Sequence, residues 1–320
     1  GNRMEAGTPA GDNNAWIRVM PVVFVLIWST GFIVAKFGLP YTAPLRFLAI
    51  RYFLSLLCFL VWTVLARVAW PRSRTQWLHL GVTGILIHAG YLGGVWCAIK
   101  AGMGSGLSAL IVGLQPVLTA VWVSQAGHSR AGGSAVSGRQ WLGLLLGLTG
   151  LIMVVSRKFG AGMEANPVTL ALAVFALLCI TTGTLYQKRF VESADVRSAN
   201  AIQLGAALLV TLPLCLFENE ATQWTTGYIG ALAWSVLGLT LGGSSLLYLL
   251  IQRGAATAVT SLLYLVPPTT ALMAWLMFDE PITMITLMGT ALTALGVSLV
   301  VRQAASPAIR LKTENTSRLH

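Results

Sequence analysis

Charge is what this chain has least of. Of its 320 residues only 10% are Asp, Glu, Lys or Arg, whereas soluble domains carry about 25%. With 56% hydrophobic residues and a mean hydropathy of +0.74, the chain has more apolar surface than a water-soluble fold can hide, so its expected solvent is a lipid bilayer. Acids are scarcer than bases, ten against twenty-one. The ten (Glu5, Asp12, Glu164, Glu192, Asp195, Glu218, Glu220, Asp279, Glu280 and Glu314) all fall in tails, loops or helix ends. None lies in mid-span, which removes the usual proton or sodium relay and favours a facilitator driven by the gradient of its own substrate.

Cysteine is also sparse. Cys58, Cys97, Cys179 and Cys215 lie in apolar runs without metal-ligand or disulfide spacing. There is no His-Glu-x-x-His and no Gly-x-Ser-x-Gly, and "GMGSG" (102–106) lacks the Lys-Ser/Thr of a phosphate loop. No enzyme, metal or cofactor is expected. A polar start ahead of Met20 and Pro21 shows no cleavable signal pattern. The net charge of +11 is explained by Lys and Arg on cytoplasmic loops, and no nucleic-acid partner is needed.

What is abundant is long apolar runs. About 20 apolar residues cross a bilayer as a helix, and runs this continuous exclude a barrel. The spans are predicted at 19–36, 44–65, 77–99, 105–125, 139–156, 168–188, 198–217, 228–251, 256–278 and 282–301. The fold class is therefore an all-α polytopic membrane protein of ten transmembrane helices. If the N-terminus is cytoplasmic, fifteen Lys and Arg face the cytoplasm and five the outside (Lys36, Arg46, Lys100, Arg157 and Lys158), with Arg51 inside a helix. That bias puts both termini in the cytoplasm and the protein in the cell's inner membrane.

"STGFIVAK" (29–36) returns as "TTGTLYQK" (181–188), 152 residues later. The same offset pairs "AIR" (49–51) with "AIQ" (201–203), Trp96 with Tyr248, Gly102 with Gly254 and Pro116 with Pro268. Towards the ends of the halves it shrinks to 146, pairing Gly143 and Gly150 with Gly289 and Gly296. A period this long marks a duplicated unit. Five spans per unit is an odd number, so the second copy is inverted, the architecture of alternating-access carriers. The expected organisation is a tail (1–18), a first five-helix repeat (19–156), an outer linker (157–167), a second repeat (168–301) and a tail (302–320).

"WSTGFIVAKFG", "APLRFLAIRYFLS", "YLGGVWCAIKAGMGSGLSALIVGLQPVLTAV" and "LYLVPPTTALMAWLMFDEPIT" resemble the EamA-type transporters of the drug/metabolite transporter superfamily, from about residue 20 to 303. The resemblance implies export of small metabolites, commonly amino acids including aromatic ones. It also implies a cavity lined by helices 1, 3, 4, 6, 8 and 9, with helices 5 and 10 joining the halves or mediating contacts. One departure is that "FDEP" (278–281) carries acids where the equivalent "AGHS" (126–129) does not, which puts a symmetric acidic gate in doubt. A multidrug or nucleotide-sugar carrier is the alternative within transport. A drug cation would want buried carboxylates and a nucleotide-sugar more clustered cations. A receptor or structural subunit would want an extramembrane domain.

Candidate substrate contacts follow. Lys36 sits on the outer side against the charge bias. It reads either as the partner of a substrate carboxylate or as a snorkelling interfacial lysine. Ser29, Phe32 and Lys36 share a helix face that Thr181, Thr184 and Lys188 repeat, although such hydroxyls often bond only their own helix carbonyls. Trp234, Leu241, Ser245, Tyr248 and Gln252 fall in one arc at 100° per residue. Trp96 and Tyr248 would make opposed aromatic walls, or else an interfacial belt. His88 and Tyr91 lie near the middle of the third helix, as pocket donors or as packing residues. Pro116, Pro267 and Pro268 are expected to bend the fourth and ninth helices, flanked by Gln115 and Tyr264. Arg51 is assigned chiefly to satisfying carbonyls rather than to substrate. "GLLLG" (143–147) is a close-packing pattern, within or between monomers, and the oligomeric state stays open, monomer included.

Overall fold

A computed structural model describes residues 11–128, 138–160, 162–253 and 263–317. Among them there are helices and no strand. The helical rods are α1 (Gly11–Gly38), α2 (Pro44–Leu65), α3 (Arg74–Lys100), α4 in two pieces (Ser105–Val112 and Gln115–His128) and α5 (Gly138–Lys158). They continue as α6 (Pro167–Phe190), α7 (Val196–Cys215), α8 (226–253), α9 (Val266–Phe278) and α10 (Met284–Ser317). Eight are long and apolar enough to cross a membrane, while Val266–Phe278 and the Met284–Val300 part of α10 are shorter apolar helices. The expected ninth span begins at 256, and 254–262 lie outside the described residues. Helix α10 runs on to Ser317 and α1 starts at Gly11, past the apolar bounds at 301 and 19. Hydropathy limits a span, but backbone hydrogen bonding limits a helix, and a helix can continue into water.

Side-chain caps start several rods. Asn166 accepts from the amides of Val168 and Thr169 while Thr169 Oγ1 accepts from the Asn166 amide, and Pro167 follows at the first helical position of α6. Ser73, Asp195 and Thr225 cap α3, α7 and α8 in the same sense. The three prolines expected to bend the fourth and ninth helices do not sit inside them. Pro116 occupies the second position of the resumed α4, and Pro267 and Pro268 the first turn of α9. Those positions have no intrahelical acceptor for a backbone N–H, so a missing donor costs nothing there.

Two rods change pitch in mid-course. Ile85–Leu92 in α3 and Ser235–Ser244 in α8 are π-helical, and each turn there holds an extra residue, so side-chain phase slips relative to 100° per residue. This corrects the single arc drawn along α8. Trp234 is exposed and its Nε1 donates to Thr30 Oγ1 at 3.0 Å, while Tyr248, beyond the π segment, is buried.

Helices α5 and α10 make the most extensive pairing, and α2 packs on α7. Helix α1 lies against α8 and α9, and α6 lies against α3 and α4. The glycines make the α5–α10 contact possible. A Cβ on Gly143 would stand 2.6 Å from the Gly296 carbonyl oxygen, and one on Gly289 2.6 Å from that of Gly150. The "GLLLG" stretch thus packs within the molecule.

Candidate substrate cavity

Between α1, α2, α3 and α8 lies a narrow cavity of about 470 Å³, mouth included. Helix α1 contributes Trp28, Gly31 and Phe32, α2 contributes Arg51, and α8 contributes Leu239, Ser244 and Leu247. Helix α3 supplies the longest wall, from Ile87 through His88 and Tyr91 to Trp96. Both π segments reach the cavity, a common placement for such turns at functional sites. Trp28 stacks on Tyr91 with ring centroids 5.9 Å apart and planes 3° from parallel. A smaller space behind Trp28 and Phe32 is bounded by Gln115, Pro116 and Val266. Gln115 there donates from Nε2 to Thr184 Oγ1 at 3.2 Å.

Arg51 is the charged residue of the main cavity, and only 3% of it is exposed. Its Nε donates to Thr240 Oγ1 at 3.0 Å, and Thr240 in turn donates to the Ser235 carbonyl at 2.8 Å, within the π segment of α8. The guanidinium lies over the Trp96 ring, 5.4 Å from its centroid. Nη1 has no hydrogen-bond partner among the described residues, and none of the ion pairs there includes Arg51. Tyr52, the next residue, donates its hydroxyl to the His88 carbonyl at 2.7 Å and fixes α2 to the π segment of α3.

Of the expected contacts, Phe32, His88, Tyr91, Trp96 and Arg51 meet at this cavity. Ser29 and Thr181 do not offer their hydroxyls to it: they donate to Val25 and Leu177 carbonyls of their own helices, each at 2.7 Å. Trp96 and Tyr248 are not opposed. Trp96 stacks on Phe47, while Tyr248 packs with Leu80, Val191 and Ile202, a separation that follows from the slipped phase of α3 and α8. Tyr264 packs against Val117 and Val297, and Ser245 Oγ is buried with no partner among the described residues. Trp28 and Thr240 were missed. Trp28 sits one turn ahead of Phe32, and Thr240 is the 152-residue counterpart of His88, so the repeat itself carried the second signal.

Lys36 stands apart from the cavity, at the end of α1. Its Nζ donates to Glu280 Oε1 at 2.9 Å and lies 5.2 Å from the centre of the Phe278 ring. The same Glu280 oxygen accepts from the Ser105 amide at 2.8 Å, and Glu164 Oε1 accepts from Gly104 N at 2.6 Å. Two carboxylates thus converge on the start of α4, where the helix dipole favours them. Lys158 pairs with Glu164 at 2.9 Å. At the same end Glu218 takes the Leu45 and Arg46 amides at 3.0 and 2.8 Å, and Lys100 pairs with Glu220 at 2.9 Å. The expected scatter of acids over helix ends thus has a structural use, as caps and counter-ions.

Apolar rods around an interior cavity that holds an arginine define a polytopic helical membrane protein. The chain belongs to the EamA-like transporter family, whose model matches residues 16–156 and again residues 168–302. It is 26% identical to the uncharacterized transporter YvbV of Bacillus subtilis (strain 168), covering 86% of this chain and 88% of that one. It is 24% identical to the uncharacterized inner membrane transporter YedA of Escherichia coli (strain K12), covering 86% and 87%. A probable amino-acid metabolite efflux pump of the same strain is 24% identical over 88% of this chain and 94% of its own. One solved crystal structure matches the fold with a TM-score of 0.65 at 17% identity, covering 90% of this chain and 98% of that one.

Proposed function

We propose that the protein exports amino acids, aromatic and hydrophobic ones among them, and related small metabolites across the inner membrane by alternating access. The observation that carries this reading is the cavity, whose walls come from α1, α2 and α3 on one side and α8 on the other. A site shared between two halves opens to either face when the halves rock against each other. The amino-acid assignment draws support from the name of the 24% identical efflux pump and from the aromatic walls Trp28, Tyr91 and Trp96. Inner-membrane placement is supported by the likeness to YedA, an inner membrane transporter by name.

Ten spans in two inverted halves, 19–156 and 168–301, form part of the proposal. Its supports are the double family match and the contact pattern, in which α1 on α8 and α9 is answered by α6 on α3 and α4. The glycines point the same way. The repeat equates Gly143 with Gly289 and Gly150 with Gly296, yet Gly143 faces Gly296 and Gly150 faces Gly289. That crossed pairing is what a two-fold axis between antiparallel copies produces. Cytoplasmic termini are proposed on the Lys and Arg bias.

Purified protein in liposomes loaded with labelled phenylalanine, leucine or threonine should release label faster than protein-free liposomes, with saturation. No acceleration for any amino acid tested would sink the exporter reading.

A further inference from the structure

The cavity is unbalanced in charge. Arg51 is 97% out of solvent by the 3% exposure above, it lines the space, and among the described residues no carboxylate pairs with it. A buried cation without a counter-ion is costly in any low-dielectric setting. The single hydrogen bond to Thr240 and the Trp96 ring face satisfy only part of the guanidinium, and Nη1 is left over.

The second half shows that a charge is not needed to tie the helices together. Residue 203, 152 positions on from Arg51, is Gln203. Its Nε2 donates to Thr83 Oγ1 at 2.9 Å and to Gln187 Oε1 at 3.4 Å, bridging α7 to α3 and α6 with a neutral amide. Arg51 makes the corresponding bridge from α2 to α8 through Nε alone. The positive charge and the free Nη1 are therefore surplus to the bridging task.

We infer that Arg51 is the anchor for the carboxylate of the transported solute, and that the site reads the acid end of its substrate and not the amine end. This rests on the exporter reading above and adds which chemical group is recognised. A planar guanidinium held at Nε by Thr240 presents its remaining N–H groups as a fork that fits a carboxylate. The Trp28 and Tyr91 rings, which line the same cavity, flank an aryl or alkyl tail. An ammonium has no described carboxylate to meet here, and Arg51 repels it. The substrate class is therefore a monocarboxylate with an apolar tail, amino acid or not, and an amine without the acid is excluded.

The test is counterflow of labelled L-phenylalanine in proteoliposomes, with unlabelled 3-phenylpropanoate, 2-phenylethylamine and phenylalaninamide as competitors. Phenylpropanoate should compete within about threefold of phenylalanine, whereas amine and amide should be weaker by about thirtyfold or more. Arg51→Gln should raise the half-saturation concentration about tenfold or more and abolish the acid-over-amine preference, and Arg51→Lys should recover part of both. Equal competition by acid and amine on the wild type overturns the anchor while leaving the exporter intact. If no amino acid moves, the exporter reading has failed and the anchor is still decided by binding. Phenylpropanoate, and not phenylethylamine, should quench tryptophan fluorescence of the solubilised wild type, and an acid that quenches no better than the amine overturns it. Matching thermal unfolding of the two Arg51 variants guards against misfolding.

Discussion

Lys36 and Glu280 hold each other at 2.9 Å with side chains 33% and 12% exposed. That burial sits between the surface case, worth up to about 1 kcal/mol, and the fully buried case, where losing one partner costs about 3–5 kcal/mol. Lys36→Ala should therefore destabilise the detergent-solubilised protein by about 1–3 kcal/mol, read from denaturant unfolding. Glu280→Ala should cost more, because the Ser105 amide loses its acceptor as well. The exchange Lys36→Glu with Glu280→Lys should return only the charge-pair part of the loss, because it leaves the Ser105 amide without an acceptor and sets a cation at the start of α4. A loss equal to the sum of the two single reversals would mean the two act separately. Asp195 allows a pH test. Hydrogen bonds from Arg197 hold its carboxyl below the usual carboxylate range. A depressed value in the folded state adds stability that is complete above the unfolded value near 4 and disappears as pH falls through the folded one. Asp195→Asn keeps the cap on Arg197 N but drops the charge, so it should cost less than about 1 kcal/mol. That cost should be constant from pH 5 to 8 and should shrink below pH 4.

Close approach is what the rods depend on. A Cβ on Gly84 would stand 2.5 Å from Gln203 Cα and 2.7 Å from its carbonyl carbon, so α3 and α7 meet backbone to backbone. Nothing flexible can yield there. Gly84→Ala should cost about 2–4 kcal/mol through forced separation of the rods, and it should also loosen the Gln203–Thr83 bond. Gly205, in α7, has nothing within 4 Å of its Cβ position. Gly205→Ala should be neutral or stabilising by up to about 1 kcal/mol. Thermal melts of the two variants side by side decide between close packing and simple helix propensity. At this scale the sequence was legible where the rules are local. Apolar runs gave the rods, and "GLLLG" gave a close-packing face on α5, but not that its partner is α10, whose Gly289 and Gly296 showed in the sequence only as repeat counterparts. It was not legible where the helix departs from 3.6 residues per turn. Nothing in "ILIHAGYL" announces a π segment, so the faces drawn along α3 and α8 drifted, and Tyr248 was placed opposite Trp96. Pro116, Pro267 and Pro268 were read as bends because a break at Gly113 and a start at Val266 cannot be seen in hydropathy.

The cavity was partly legible for a reason that belongs to the whole molecule. His88, Tyr91 and Trp96 are polar or aromatic in an apolar run, whereas the weight of Arg51 depends on the Gln203 that answers it in the other half. At the Lys36 end, loops of the two segments that the family model matches interlock. Gln223 N donates to the Tyr41 carbonyl at 2.8 Å, and the Thr42 and Thr222 hydroxyls lie 3.0 Å apart. Glu218 and Glu220 from the same loop cap α2 and pair with Lys100. If the halves rock during transport, this end must part in every cycle, and a covalent tie across it should stop the cycle without touching the cavity. Thr42→Cys with Thr222→Cys, in a background where Cys58, Cys97, Cys179 and Cys215 are replaced by Ala or Ser, places two thiols where the hydroxyls now meet. Oxidation should cut flux in proteoliposomes at least about tenfold and leave phenylpropanoate binding within about twofold, and reductant should restore the rate. A cross-linked protein, shown by thiol counting, that still transports at the reduced rate would mean the two halves stay joined at this end while the solute leaves.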